Sequence, residues 1–419
     1  MKILQINNNP NGRGGADKIY LNTTRLLRKN GFSVICISQK EDVEPSDVQP
    51  KYTVPSLDWK QKFDSRFALL LNAPRFLFSI RNFFTFILIA LKEKPDVAHV
   101  HLYKGGMTSA ILAALRLSGV PTVLQSHDYG IFCPVNLCLD GERKVCDKCL
   151  NKSKINGLIN RCNRNNIILS LGSVLEFYIH SIFAPRRFCF NRVIASSKFQ
   201  YNLLSSVQYL RKQMAQIYNF VPEDLSKESN KPNFNGYYLF IGRLSAEKGV
   251  KNLIDAYCQG GIKRGLKIVG GGPEYDVLVE TAKLYCEKTI SFEGHKSGDE
   301  LLRLIDEAYF VIVPSEWYEN NPMSILESYA RSKPVIGARI GGITEIIEDG
   351  TSGYLFDPFS QISLNEKMRY SDSMTFDQYA FMCQSSYGLF KSRYSEEIHL
   401  TQLNEIYIGM QTGKSKISI

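Results

Sequence analysis

Residues 1–37, MKILQINNNPNGRGGADKIYLNTTRLLRKNGFSVICI, decide the fold. Lys2–Ile6 reads as a strand, the Asn- and Gly-rich loop Asn7–Gly15 follows, and Ala16–Asn30 carries the apolar spacing of an amphipathic helix. Gly31 ends that helix and Ser33–Ile37 is a second strand. Strand, helix and strand in this order make a βαβ unit, which implies a parallel sheet.

The alternation continues outward. Asp96–Val100, Thr122–Gln125 and Arg192–Ala195 read as strands, with a helix over Gly105–Ser118. Residues 219–235 (NFVPEDLSKESNKPNFN) lose periodicity and gather Pro, Asn, Ser and charge, the composition of a linker. Strands then restart at Tyr237–Ile241, Leu266–Val269, Ile290–Phe292, Phe310–Val313 and Pro334–Ile336, and Phe376–Met410 reads as helix. The expected organisation is an α/β chain with two Rossmann-like doubly wound domains, an N-terminal one over 1–218 and a C-terminal one over 236–375, joined by the linker 219–235 and followed by a helical segment, 376–419. Open sheets of this kind bind ligands at the carboxyl ends of their strands, so two such domains are expected to face each other across a cleft.

A length of 419 residues with 44% hydrophobic content is ample for two cores, and 22% charged residues without low-complexity tracts exclude a disordered chain. Residues 1–198 hold 28 Lys and Arg against 14 Asp and Glu, whereas the remainder holds 23 against 27. A basic half suits an anionic membrane or a lipid-pyrophosphate acceptor, or is simply a solvated face. No nucleic-acid module signature appears, so no nucleic-acid partner is expected. The opening MKILQINN lacks a signal-peptide pattern, and a cytoplasmic location, at the inner face of the membrane, is the expectation. Phe83–Leu91 (FFTFILIAL), between Arg81 and Lys92, is too short to span a bilayer. With Arg75, Phe76, Leu77 and Phe78 upstream it reads either as a core helix or as an interfacial one, and Ile167–Phe183 is a second such segment.

Three segments carry chemistry. Gly242-Arg243-Leu244-Ser245-Ala246-Glu247-Lys248-Gly249 leaves a strand with two cations five residues apart, suited to a diphosphate; a surface salt-bridge network is the plain alternative. Val269-Gly270-Gly271-Gly272-Pro273 lets the backbone approach a ligand closely, or is a bare turn. In Glu319-Asn320-Asn321-Pro322-Met323-Ser324-Ile325-Leu326-Glu327 a loop becomes a helix, with Asn320 or Asn321 expected as its cap and Pro322 near its first position. Its N–H groups suit an anion, and the two carboxylates can accept hydrogen bonds from a sugar and a ribose, unless they are ordinary helix-surface acids.

At these residues the sequence resembles glycosyltransferase family 4, retaining enzymes of GT-B fold that use nucleotide-diphosphate sugars. The match includes Gly14-Gly15, His127, Ser196-Ser197-Lys198, Gly242-Arg243, Lys248-Gly249, Gly270–Pro273, Gly294-His295, the Glu319/Glu327 pair and Gly341-Gly342. The resemblance implies that Arg243 and Lys248 hold the diphosphate, Glu327 the ribose and Glu319 the donor sugar. It further implies that Gly242, Gly270, Gly271 and the backbone of Asn321, Pro322, Met323 and Ser324 line the donor, that Gly14 and Gly15 face it, and that the final helix returns toward the N-terminal domain. No metal is required for chemistry in that family, and retention follows from attack on the leaving-group face. His127, after a strand, matches an active-site histidine that contacts sugar or acceptor. The acceptor is expected to be a glycan or lipid-linked saccharide, in capsule, O-antigen or exopolysaccharide synthesis. A GT-B epimerase or phosphorylase, or a non-catalytic polyanion- or glycan-binding module, are the alternatives.

Cys133, Cys138, Cys146 and Cys149 have the spacing C-x4-C-x7-C-x2-C, with Cys162 beyond. They are a candidate structural zinc site, or a loop of unligated thiols.

Overall fold

The computed structural model describes residues 1–9, 14–39, 47–55, 78–104, 106–229, 232–286 and 289–411. Positions 10–13 of the first loop, Arg75, Phe76 and Leu77 before the first apolar segment, and Gly105 lie outside them. The chain forms two compact units, Met1–Ile217 together with His399–Ile419, and Tyr218–Ile398. The segment 219–235 lies in the second unit, where Phe220 and Val221 are buried.

Unit 1 is built on seven strands: β1 (Lys2–Ile6), β2 (Ser33–Gln39), β3 (Tyr52–Val54), β4 (Val97–Val100), β5 (Thr122–Ser126), β6 (Arg192–Ala195) and β7 (Met214–Gln216). Their order is β3-β2-β1-β4-β5-β6-β7, with every pairing parallel. β1 is central, with Ile3 opposite Val34 on one side and Val97 on the other. A strand covered on both faces has no solvent side, which is why KILQI and VAHV lack the strict apolar–polar alternation of a half-exposed strand. Ile3, Leu27, Val97, Val123 and Ile194 form one core with Leu403 and Tyr407 of the last helix. Burying each such side chain contributes about 1.5–3 kcal/mol.

Unit 2 repeats the plan with β8 (Tyr237–Ile241), β9 (Leu266–Val269), β10 (Ile290–Gly294), β11 (Ala308–Val313), β12 (Val335–Ala338) and β13 (Gly353–Phe356), in the order β10-β9-β8-β11-β12-β13 and again parallel. In both units the order reverses beside the first strand, between β1 and β4 and between β8 and β11. That reversal opens a crevice at the strand ends, where doubly wound folds hold ligands.

Three features differ from the sequence reading. β3, β7 and β13 are edge strands outside the sequence reading, and β3 and β7, of three residues each, are too brief to show periodicity. The helix expected over Gly105–Ser118 runs only from Ala110 to Leu117, because Thr108 sits in the left-handed region at φ 62° and breaks the turn before it. The tail is not one helix: Phe376–Leu389 passes through a wider turn at Phe390–Tyr394, and Glu396–Gln411 starts afresh. Ser395 between them is extended, and the Val221 N–H takes the Tyr394 carbonyl at 3.2 Å.

The apolar segment Phe83–Leu91 lies within helix Ile80–Glu93, which buries Phe86, Ile89 and Ala90 but exposes Phe84, Leu88 and Leu91. Helix Ile167–Phe183 likewise buries Val174 and Phe177 and exposes Ile168, Leu171, Leu175 and Ile182. Among the described residues no helix is long and apolar enough to cross a membrane.

Candidate active site

In unit 2 the site begins where β8 ends. The chain turns through Gly242–Ser245, makes one tight turn at Ala246–Lys248, and enters helix Val250–Gln259 through Gly249 at φ 66°. A side chain at Gly249 would collide with the Pro314 carbonyl, so glycine fixes how close this turn lies to the end of β11. The turn after β9 interlocks with it: Gly242 N–H donates to Val269 O at 3.0 Å and Leu244 N–H to Gly271 O at 3.0 Å. Gly270, at φ 142°, lies against the Gly242 carbonyl with no room for a Cβ.

Lys248 leaves this scaffold and donates from Nζ to Glu319 Oε1 at 2.6 Å. Ser315 Oγ donates to the same oxygen at 2.8 Å, and Trp317 lies under the ammonium, its ring centre 5.2 Å away. Burial pushes the Glu319 carboxyl up, but Lys248, Ser315 and Trp317 together hold it below its ordinary range, so it is a carboxylate. Its backbone is fixed as well, since Gly342 N–H donates to Glu319 O at 2.7 Å and Gly341, at φ 56°, packs directly on it.

Glu327 lies one turn inside helix Met323–Tyr329 and is half-buried. The cap of this helix differs from expectation. Pro322 occupies the cap position with no side-chain hydrogen bond, because the Asn321 side chain is used elsewhere: its Oδ1 accepts from the Asn219 N–H at 2.9 Å, and its carbonyl from the Asn219 amide at 3.1 Å. The first N–H groups at Met323 and Ser324 thus have no side-chain cap, which suits an anion. Arg243 is exposed. The structure therefore joins Lys248, Glu319 and the Gly341-Gly342 turn in one cluster and leaves Arg243 outside its ion pair.

In unit 1, Gly14 caps helix Gly15–Lys29 at the β1 end of the reversal, and its N–H donates to Asp17 Oδ2 at 3.2 Å. Asp17, absent from the sequence reading, is buried and also accepts from Asn7 Nδ2 at 2.8 Å.

His127 follows β5. Its Nε2 lies 3.0 Å from His101 Nδ1, and His101 Nε2 lies 2.9 Å from Gln5 Oε1. The Gln5 amide nitrogen is 3.4 Å from His99 Nδ1, which is 2.7 Å from the Tyr407 hydroxyl. The proton order follows from donor and acceptor capacity. An amide oxygen only accepts, so His101 carries its proton on Nε2, offers Nδ1 as an acceptor, and receives the Nε2–H of His127. Burial pushes all three imidazoles below the ordinary histidine range, His99 to about 3, so each is neutral at pH 7. His99, His101, Gln5 and Tyr407 carried no sequence signal.

The cysteine loop doubles back on itself, with Leu139 bridging Val145 and Cys146 N–H donating to Cys138 O at 2.8 Å. A hydrogen bond from Cys138 brings the Cys133 thiol down to about 6, whereas burial raises Cys149 to about 11. Among the described residues no group of three or more His, Cys, Asp or Glu side chains is placed to hold a metal ion.

Two family models together match residues 13–371: Glycosyltransferase Family 4 matches residues 13–225, and Glycosyl transferases group 1 matches residues 222–371. The chain belongs to glycosyltransferase family 4. Among relatives of this family-4 chain, an uncharacterized glycosyltransferase of Methanocaldococcus jannaschii is 33% identical over 178 residues, 42% of this chain and 48% of that protein. The sulfoquinovosyl transferase of Arabidopsis thaliana is 24% identical over 81% of this chain and 60% of its own length. The chain thus spans about half the length of the curated relatives it matches. The crystal structure of Anabaena HepE with UDP and glucose superposes with a TM-score of 0.68 at 17% identity, covering 98% of this chain and 100% of that one, and establishes the GT-B fold.

Proposed function

We propose that this family-4 chain is a retaining glycosyltransferase that moves a sugar from a nucleotide-diphosphate donor to a glycan or lipid-linked saccharide in polysaccharide synthesis. The observation that carries the reading is the Lys248–Glu319 ion pair, set at the strand exits of unit 2 beside an uncapped helix start. HepE, of the same fold, is described in complex with UDP and with UDP-glucose, which favours a uridine donor.

In this reading Lys248 and Arg243, with the N–H groups of Met323 and Ser324, neutralise the diphosphate as it departs. Glu319, with Oε1 taken by Lys248 and Ser315, orients the sugar ring by accepting from its hydroxyls at Oε2. Glu327 accepts from the ribose. The bond from C1 to the diphosphate oxygen breaks, the acceptor oxygen bonds to C1 on the same face, and the acceptor proton passes to the departing phosphate. Charge neutralisation of this kind is the task a divalent ion performs in other transferases, so activity is expected to survive EDTA.

The test is turnover across UDP-, GDP- and ADP-sugars, with Lys248→Ala and Glu327→Ala as controls. Transfer from one donor, lost in both variants, supports the reading. Turnover without an acceptor product would favour an epimerase, and binding without turnover would favour a glycan-binding module.

A further inference from the structure

Unit 1 contains a cavity of about 440 Å³ beneath the cysteine loop, within the size range of small-molecule sites. Lys152, Lys154, Arg186 and Arg187 line it without any Asp or Glu, over walls that include Phe132 and Phe177.

Arg186 is 5% exposed, and its guanidinium carbon lies 4.0 Å from the centre of the Phe177 ring. Its Nη1 donates to Ser181 Oγ at 3.2 Å, the Tyr103 and Tyr209 hydroxyls lie within hydrogen-bonding reach of the guanidinium, and its Nη2 is shut away from solvent. Lys154 and Lys104 hold their ammonium groups 5.7 and 5.8 Å from the same ring centre; Lys154 donates to the Cys149 and Lys152 carbonyls, and Lys104, which lines the neighbouring cavity rather than this one, donates to Gly130 O and Asn136 Oδ1. Burial, with Arg186 adding to it, brings Lys104 down to about 8 and lowers Lys154. Glu176, the acid coupled to Arg186 and Lys104, lines a different cavity that shares Phe177 with this one.

Arg186, buried, and Lys154, partly buried, repel each other, and the exposed Lys152 and Arg187 add two more positive charges at the cavity mouth. An anion entering the cavity would relieve that repulsion. Phosphate is the anion that a guanidinium fork and neighbouring ammonium groups fit best. The wall helix Ile167–Phe183 turns Phe177 and Ser181 toward the cavity and exposes Ile168, Leu171, Leu175 and Ile182 along one helical stripe.

We propose that this cavity is a phosphate site that takes the phosphate or diphosphate of a molecule with a hydrocarbon chain, the chain lying along the exposed stripe. Binding does not depend on transfer chemistry; only the assignment of the bound molecule as the acceptor rests on the transferase reading.

The full chain, saturated with UDP to fill any diphosphate site in unit 2, is titrated calorimetrically with inorganic pyrophosphate and with farnesyl diphosphate. Both probes should bind, and Lys152→Gln/Arg187→Gln, a pair at exposed positions that spares the core, should weaken each by about tenfold or more. Arg186→Gln should do the same, and if that variant does not fold the exposed pair decides. Tighter binding of farnesyl diphosphate supports the hydrocarbon-bearing ligand, and equal binding overturns that part of the proposal and leaves a free-diphosphate site. Binding of neither probe, or binding that the exposed pair leaves unchanged, overturns the proposal. Failure to bind UDP with the diphosphate titration intact would count against the transferase reading alone.

Discussion

Glu319 shows how one carboxylate is made dependent on one lysine. Its side chain is 8% exposed and Lys248 is its only cationic neighbour among the described contacts. Lys248→Ala leaves the charge buried and unpaired, at a cost of about 3 kcal/mol or more, whereas Glu319→Gln removes the charge with its shape retained and should cost less. Urea denaturation at pH 7 checks the order. The carboxyl is held below its unfolded value, so the pair's contribution is fully present above pH 4.5 and is lost as pH falls through the folded value. The two variants should therefore converge in acid.

The histidines of unit 1 respond to acid over a different range. A neutral imidazole whose folded pKa is depressed stabilises the fold fully above the unfolded value, near 6.5, and loses that contribution toward its folded value. With His99, His101 and His127 all in this state, stability should fall by up to about 1.4 kcal/mol per pH unit for each ring between pH 6 and 4. A flat profile there would contradict the burial. Long-range proton–nitrogen NMR at pH 7 should show His101 and His127 protonated on Nε2, and an Nδ1–H tautomer at His127 would contradict the proton order.

At the scale of elements, glycines set how closely the strand exits approach one another. Gly341→Ala places a methyl group 2.5 Å from the Glu319 carbonyl, in a left-handed conformation that alanine resists. The expected result is a loss of about 1–3 kcal/mol, read by thermal melting, with weaker nucleotide binding because the Glu319 backbone must shift. Unchanged affinity would separate this turn from the site.

The strands flanking these turns were legible in the sequence because both faces of β1, β4, β8 and β11 are covered, which writes a mostly apolar run without strict alternation. Lys248 and Glu319 were legible because each sits at a boundary between a strand or loop and a helix, where spacing is local. The Gln5–His101–His127 relay was not. Its members come from β1, from the end of β4 and from the loop after β5, and polar residues within apolar strands look like exceptions until the sheet places them side by side. The Asn321 cap failed for the same reason, since Asn219, its competitor, is 102 residues away.

At the scale of the molecule, each unit is a three-layer α/β sheet of Rossmann order, and the basic excess of residues 1–198 falls on unit 1, which also holds the proposed phosphate cavity. Under the proposed lipid-linked acceptor reading, flotation with anionic vesicles is expected to require unit 1 and to weaken steeply with added salt, and absence of flotation at low salt would contradict it. Tyr407, fully buried against His99 and in one core with Ile3 and Val97, ties the last helix to the first strand. Tyr407→Ala should destabilise unit 1 by about 3–5 kcal/mol, whereas the melting of unit 2 should be little changed in a two-transition calorimetric scan.

That tie also orders events during synthesis. The ring of Tyr407 meets His99 across 308 residues of chain, so the first unit to leave the ribosome lacks part of its own core until the final helix has been made. Unit 2, Tyr218–Ile398, needs nothing later than itself. The later half can thus mature first, and the earlier half waits, with Leu27, Val123 and Ile194 short of their last partners, for as long as translation of the intervening segment takes.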